Sequence, residues 1–321
     1  MRQDNIEDVY PLSPLQQGIL FHTLYAPEAG EYFRQLVFAI EGALDTEAFA
    51  RTWQEVVDRH SILRTAFVWE ETADPVQVVC RRVGAPLESQ DWRDLDAAQQ
   101  ERRFAAHLEE DRRRGFELTE TPLLRLALVR LGEKSWRFVW SYHHLLLDGW
   151  SVALLLRRVF TVYRALTQGE RLPLARVRPY RDYIAWLKAQ DPAQAEAFWR
   201  RTLAGLRAPT PLPLAPAGSP VEKVSADHLL PLSPELTAAL QSLARTHRLT
   251  LNTFLQGAWA LLLSRTAGEP DVLFGATASG RPTELAGFES MVGLFINTLP
   301  VRMEVPDATD LLTWLRELQA A

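Results

Sequence analysis

The stretch His143-His144-Leu145-Leu146-Leu147-Asp148-Gly149-Trp150-Ser151 lies where a strand pattern gives way to a helix pattern. Before it, Trp136, Phe138, Trp140 and Tyr142 alternate with Arg137, Val139 and Ser141, the period of a strand. After it, Val152, Leu155, Leu156, Val159, Phe160 and Tyr163 fall at helical spacing and predict a long helix from about Trp150 to Leu166. Adjacent strand residues point to opposite faces, so at most one of the two imidazoles can face a given cleft. A histidine at a strand end beside a helix start is held by rigid elements while its edge stays open, a good mounting for acid–base work. The same residues also have a purely structural reading, with Asp148 as a helix N-cap, Gly149 as a turn and the histidines as core.

Working outward, Trp136 to Tyr142 pairs with Leu123 to Leu131 as a hairpin across Gly132-Glu133-Lys134. Upstream, Ser13-Pro14-Leu15-Gln16 reads as a capping box with proline at the first helical position. Gln35 to Ile40 reads as a strand. A helix follows Asp45, with Phe49, Trp53, Val56 and Val57 on one side. Leu63 to Glu70 alternates, which places Arg64, Ala66 and Val68 opposite Leu63, Thr65, Phe67 and Trp69. A charged helix is predicted over Asp94 to Arg114, with Glu109 to Arg114 as its solvated face. Downstream, Tyr180 to Trp199 is helical, and Ala208 to Pro220 holds too many prolines for regular structure. A strand near Asp227 to Leu232, helices opened by Ser233 and Thr250, strands over Val272 to Ala276 and Leu294 to Val301, and a helix over Asp307 to Gln319 complete the pattern. Trp186, Trp199, Trp259 and Trp314 read as core. The expectation is an α/β chain of two lobes, 1–172 and 173–321.

Composition narrows the classes. The 321 residues are about twice the usual domain length. Apolar residues make up 47% and charged residues 23%, which excludes disorder and coiled coil for most of the chain. A net charge of −5 offers no basic face for nucleic acid. The single cysteine, Cys80, excludes internal disulfides and multi-thiolate zinc sites. No apolar run reaches membrane-spanning length, and the polar N-terminus has no signal-peptide core, so a cytoplasmic location is expected.

HHLLLDGWS resembles the active-site motif of condensation domains of nonribosomal peptide synthetases. YPLSPLQQGILFH (Tyr10 to His22), RHSILRTAF (Arg59 to Phe67), YRDYIAW (Tyr180 to Trp186) and VGLFINTLPVR (Val292 to Arg302) resemble four more of that family's motifs, in the family's order. The resemblance implies two lobes like chloramphenicol acetyltransferase, set in a V around a central tunnel. Donor and acceptor thioesters would enter on the phosphopantetheine arms of two peptidyl carrier proteins, with an adenylation domain adjacent. The acceptor amine attacks the donor carbonyl and an amide forms. The domain itself is implied to bind no metal or cofactor.

By the same resemblance His144 is the catalytic imidazole, while His143 supports it. Asp148 is implied to pair with Arg64 of the second motif, since a buried charge needs a partner. Gly149 lets backbone approach the substrate, and its N–H at a helix start favours a developing oxyanion. Trp150 and Ser151 complete the motif, and Asn297 matches a residue near the tunnel. Heterocyclising domains carry an aspartate pair in place of the histidines, and epimerisation domains differ after Asp-Gly. A coenzyme A-dependent acyltransferase shares only the His-x-x-x-Asp core, and a non-catalytic recruiting member would tend to lack His144. LLLDGWS and LFINTLPVR look most like members taking a D-configured donor and an L-configured acceptor. Two later family motifs do not occur here. The second lobe is therefore expected to be incomplete, and residues 1–321 alone to make no amide.

Overall fold

The computed structural model describes residues 3–27, 30–70, 72–170, 177–212, 229–306 and 310–320. The chain forms two compact units. One comprises 1–190 with 279–296, the other 191–278 with 297–321.

The first unit begins with β1 (Ile6–Pro11) and α1 (Pro14–Tyr25). At the start of α1, Ser13 and Gln16 cap each other's main-chain N–H groups as the sequence predicts. Next come β2 (Phe33–Glu41) and α2 (Thr46–Arg59), the latter capped by Asp45. A 3-10 turn over Ser61–Arg64 then leads into β3 (Thr65–Val68). The strand expected from Leu63 is thus shorter. Leu63 N–H donates to the His60 carbonyl at 2.9 Å and the Thr65 hydroxyl to the Ser61 carbonyl at 2.9 Å, so the chain completes another helical turn first. Leu63 and Arg64 are both buried, which removes the two-faced pattern inferred for them.

After β3 come β4 (Val76–Cys80), β5 (Leu87–Asp91) and α3 (Ala97–Arg114). The hairpin of β6 (Leu124–Arg130) and β7 (Ser135–His143) and the long helix α4 (Gly149–Gln168) follow as predicted, and α5 (Arg181–Lys188) ends the unit's main run. The strands make a three-stranded sheet, β1-β4-β3, and a four-stranded sheet, β2-β7-β6-β5. β7 is central, antiparallel to β2 with Phe33 opposite His143, and to β6 with Leu124 opposite Tyr142.

Alternation along β7 divides two cores. Phe138 and Trp140 meet α2, with Trp53 against Trp140 at 4.9 Å and Phe49 edge-on to Phe138 at 5.1 Å. Burying each such side chain contributes about 1.5–3 kcal/mol. On the other face Val139 joins Trp92, Phe104 and Val129. Asp111 also turns inward there. It accepts from Arg125 Nε at 2.6 Å and Gln35 Nε2 at 2.8 Å, and from the Ser141 hydroxyl. The charged run Glu109 to Arg114 is therefore not wholly a solvated face. On α4 the buried stripe is Leu155, Val159, Val162 and Ala165, and Phe160 is exposed.

The second unit contains α6 (Pro192–Thr202), α7 (Pro234–His247), α8 (Leu251–Ala267), most of the paired strands β8 (Asp271–Ser279) and β9 (Ile296–Glu304), and α9 (Leu311–Ala320). Its core gathers Leu263, Val272, Met303, Trp314, Leu315 and Leu318. α8 and α9 approach closely at Gly257, where a Cβ would lie 2.6 Å from Leu315. Trp314 is core as expected, but Trp259 is half exposed. Residues 229–232 form no strand, and the rest of that expected strand lies outside the described residues, as does most of the proline-rich stretch.

The units do not divide at residue 172. Residues 177–190 stay with the first unit, which also takes back 279–296. The reason is bonding: Tyr180 OH donates to the Leu294 carbonyl at 2.6 Å, and Phe295 packs on Tyr183 at 4.7 Å. No described helix is long and apolar enough to cross a membrane.

Candidate active site

β7 ends between its two neighbours. His143 N–H donates to the Leu123 carbonyl at 3.1 Å, and His144 N–H to the Tyr32 carbonyl at 2.8 Å. The two imidazoles then part, as strand alternation requires. His143 is buried and lines a cavity of about 750 Å³ with Tyr32, Phe33 and Phe116, of which His144 is not a wall. Its Nδ1 accepts the Leu145 N–H at 3.3 Å. Burial first, and the neighbouring His144 second, push His143 down to about 3, so it stays neutral.

His144 is half-buried, and its Nδ1 lies 2.7 Å from the Leu147 carbonyl. A carbonyl only accepts, so Nδ1 carries the proton and Nε2 keeps its lone pair. Burial pushes the imidazole below its ordinary value and the Arg34 guanidinium adds to this. Hydrogen bonds to main-chain carbonyls and the Asp148 charge oppose it. Among the described residues Nε2 has no hydrogen-bond partner, so the ring keeps one basic nitrogen uncommitted.

Between His144 and α4, Leu145, Leu146 and Leu147 are fully buried and anchor the turn. Asp148 is the N-cap of α4. One oxygen accepts Ser151 N–H at 2.7 Å and faces Arg281 Nη2 at 3.5 Å, and the other accepts Phe295 N–H at 3.0 Å. Its own N–H donates to the Gly293 carbonyl at 3.2 Å. Both carboxylate oxygens are thus engaged, and neither is bonded to His144.

The ion pair expected between Asp148 and Arg64 is not formed. Arg64 leaves the 3-10 turn toward β1 and β4, where its Nη1 pairs with Glu7 at 2.6 Å and donates to the Cys80 carbonyl. The partner of Asp148 is Arg281, in the 279–296 segment. Arg281 donates to the Ser151 hydroxyl at 2.9 Å and to the carbonyls of Phe288 and Met291 at 2.8 and 2.9 Å, and it stacks on Phe295 at 4.0 Å. The Ser151 hydroxyl in turn donates to the Gly293 carbonyl at 2.7 Å and accepts Gly293 N–H at 3.1 Å. A Cβ at Gly293 would run into the Tyr180 ring, so this approach needs glycine. Asp148, Ser151 and Arg281 together clamp the first turn of α4 to residues 291–295.

Gly149 opens α4, is exposed, and has open space where a Cβ would stand. Trp150 is half exposed, with its indole N–H donating to the Glu289 carbonyl at 3.2 Å. Asn297 is exposed on β9 and accepts the N–H of its neighbour Thr298 at 2.9 Å; it is not part of this cluster. Among the described residues no group of histidine, cysteine and carboxylate side chains is placed to hold a metal ion.

The sequence profile of the condensation domain matches residues 6–321. The chain belongs to the condensation-domain family. This condensation domain is 49% identical over 98% of its length to part of a linear gramicidin synthase of Brevibacillus parabrevis. It is 36% identical over 98% of its length to part of bacitracin synthase 1 of Bacillus licheniformis. It spans only 4% and 6% of those two relatives. Among solved structures, the first condensation domain of the CDA synthetase superposes with a TM-score of 0.77 at 22% identity, covering 98% of this chain and 76% of that one. The starter condensation domain of rhizomide synthetase gives 0.76 at 22% identity, covering 98% and 71%. These two likenesses establish the fold.

Sequence reasoning missed Arg281 in this condensation domain. The only signal was a lone arginine between Gly280 and Pro282, in a stretch with no periodicity. The demand of buried Asp148 for a cation was legible, but not which cation meets it.

Proposed function

We propose that this condensation domain joins a donor aminoacyl or peptidyl thioester to an acceptor aminoacyl thioester, with His144 assisting the acceptor amine. The observation that carries the reading is the bond from His144 Nδ1–H to the Leu147 carbonyl at 2.7 Å, which orients the ring and leaves Nε2 as a base. The acceptor nitrogen bonds to the donor carbonyl carbon and the carbon–sulfur bond breaks. The proton lost by nitrogen passes by way of Nε2 to the departing thiolate. Such help is worth about 10²–10⁴-fold, and holding two tethered reactants in line adds at least as much. Gly149 N–H, at the positive end of the α4 dipole, donates to the oxyanion that forms in between. Asp148, Ser151 and Arg281 hold that helix end in place.

Relatives named as gramicidin and bacitracin synthases support peptide synthesis as the class of reaction. The substrates ride on phosphopantetheine arms of donor and acceptor carrier proteins, beside an adenylation domain. The LLLDGWS and LFINTLPVR wording favours a D-configured donor and an L-configured acceptor. Asn297 is assigned to substrate contact on its motif alone. Arg64 supports the site only at a distance, by fixing β1 to β4.

The test is a synthetase carrying this domain, supplied with donor and acceptor carrier proteins loaded with aminoacyl thioesters. The unchanged protein forms the carrier-bound amide, and a folded His144→Ala variant forms it at least about 10²-fold more slowly. Equal product from the two proteins overturns the reading.

A further inference from the structure

Behind the turn that carries His144, two glutamines from other elements form a closed pair of amides. Gln16 on α1 and Gln77 on β4 are both fully buried. Gln77 Nε2 donates to Gln16 Oε1 at 2.9 Å, and Gln16 Nε2 donates back to Gln77 Oε1 at 3.3 Å. Each amide has one N–H left. That of Gln77 goes to the Pro11 carbonyl at 3.0 Å, and that of Gln16 to the Leu145 carbonyl at 3.0 Å. All the side-chain N–H groups are thus used, and Gln16 Oε1 also accepts Ser13 N–H at 3.0 Å. Turning the Gln16 amide over would set its nitrogen against Ser13 N–H and its oxygen against the Leu145 carbonyl, so the network fixes which end faces the turn. The cap of α1 needs only the oxygen; Nε2 reaches a carbonyl 129 residues further along the chain.

Leu145 follows His144 directly. Its carbonyl has no other donor among the described residues. The same peptide unit ends in Leu146 N–H, which donates to the His143 carbonyl at 3.1 Å. Because a peptide unit is planar, these two bonds hold it at both edges. It is the middle unit of the turn whose ends, His144 and Leu147, are joined by the Nδ1 bond. Gln77 lies in register with Tyr10 of β1 and Phe67 of β3, so the glutamine pair ties the turn after β7 to the other sheet.

We propose that Gln16, backed by Gln77, is a positioning residue for amide formation: it holds the Leu145–Leu146 peptide and, through it, the turn that presents the His144 ring. The proposal rests on His144 assisting the acceptor amine. A misplacement of about 1 Å in a reacting group costs about 10²-fold in rate, so a turn released at one edge is enough to matter.

The experiment compares Gln16→Met with Gln77→Met in a synthetase carrying this domain, supplied with loaded donor and acceptor carrier proteins. Both substitutions break the amide pair and leave buried polar groups unpaired. Both therefore lower the stability of the first unit, as read by hydrogen exchange of its slowest amides. Only Gln16→Met takes the donor from Leu145. It should slow amide formation about tenfold to 10²-fold, whereas Gln77→Met leaves the rate close to that of the unchanged protein. Ring ¹⁵N shifts of labelled histidines give a second reading without substrate. His144 keeps its proton on Nδ1 in the unchanged and Gln77→Met proteins, and becomes a mixture of both tautomers in Gln16→Met. Equal slowing by the two variants, or a His144 tautomer that Gln16→Met leaves unmoved, overturns the proposal. In the unchanged protein the Gln16 side-chain N–H protons should exchange as slowly as the main-chain amides of β7, and fast exchange overturns it without any variant. Normal turnover by His144→Ala beside an altered tautomer in Gln16→Met would remove the catalytic role of His144 while the hold of Gln16 on the ring stands.

Discussion

Replacing Arg281 by methionine keeps a long, flexible side chain over Phe295 but removes the guanidinium that faces Asp148 at 3.5 Å. Both partners are almost fully enclosed, with side chains 3% and 1% exposed. Removing one partner of such a pair costs roughly 3–5 kcal/mol, because the other charge stays buried without compensation. Asp148→Asn leaves a good N-cap, so its loss of stability isolates the charge instead of the cap. The double substitution should be less harmful than the sum of the singles by about 0.5–3 kcal/mol. Arg64→Met combined with Asp148→Asn should be additive to about 0.5 kcal/mol, since Arg64 shares no hydrogen-bond partner with Asp148. The chain has two compact units, so one melting midpoint mixes their stabilities. Hydrogen exchange of the Ser151 and Phe295 amides, which donate directly to Asp148, reads the clamp itself. Additive Arg281 and Asp148 effects, with a large coupling between Arg64 and Asp148, would refute this assignment of the pair.

Three further outcomes are expected. Neutralising exposed Arg34 as Arg34→Gln removes a charge that depresses His144, so the acid limb of kcat/KM for amide formation moves to higher pH; an unmoved limb separates His144 from the rate. His60 and His143 are each pushed to about 3 when folded, against 6.5 in the free side chain. The unfolded chain therefore binds more protons, and stability falls as pH drops from about 6.5 toward 3, by about 1.4 kcal/mol per pH unit for each histidine. Between about pH 6 and 5, His60→Phe should halve that two-histidine slope, as read from hydrogen exchange of the slowest amides of the first unit. Gly149→Ala meets open space and should leave stability within about 0.5 kcal/mol while slowing amide formation, because its Cβ enters the space where substrate meets the backbone; unchanged turnover would show that substrate does not come close to the backbone at Gly149.

The parts of the fold legible in the sequence are those whose pattern is local. The capping box at Ser13, the aromatic alternation from Trp136 to Tyr142 and the hairpin at Gly132 each follow from neighbours within a few residues. β1 and β5 escaped because they are short edge strands rich in charge, with Glu7 and Asp8 in one and Glu88 and Asp91 in the other. Leu63 to Glu70 misled for another reason. Alternating polarity assumes two faces, but Leu63 and Arg64 sit in a turn that is buried all round.

The candidate site divides along the same line. Which way the two imidazoles point, and that Asp148 begins a helix, are consequences of a strand meeting a helix within a few residues. What surrounds Asp148 is not, because Arg281 lies 133 residues away in a stretch without period or amphipathic face. The physical requirement ran ahead of the assignment: a carboxylate with 1% exposure had to find a cation, and several arginines could have met that need. Geometry selects Arg281 because its guanidinium also satisfies Ser151, Phe288 and Met291, so one side chain closes four acceptors at once. Arg64 could not do the same without abandoning Glu7 and the carbonyl of Cys80. A buried arginine is placed by the whole set of acceptors it can reach, and that set exists only after the chain has folded.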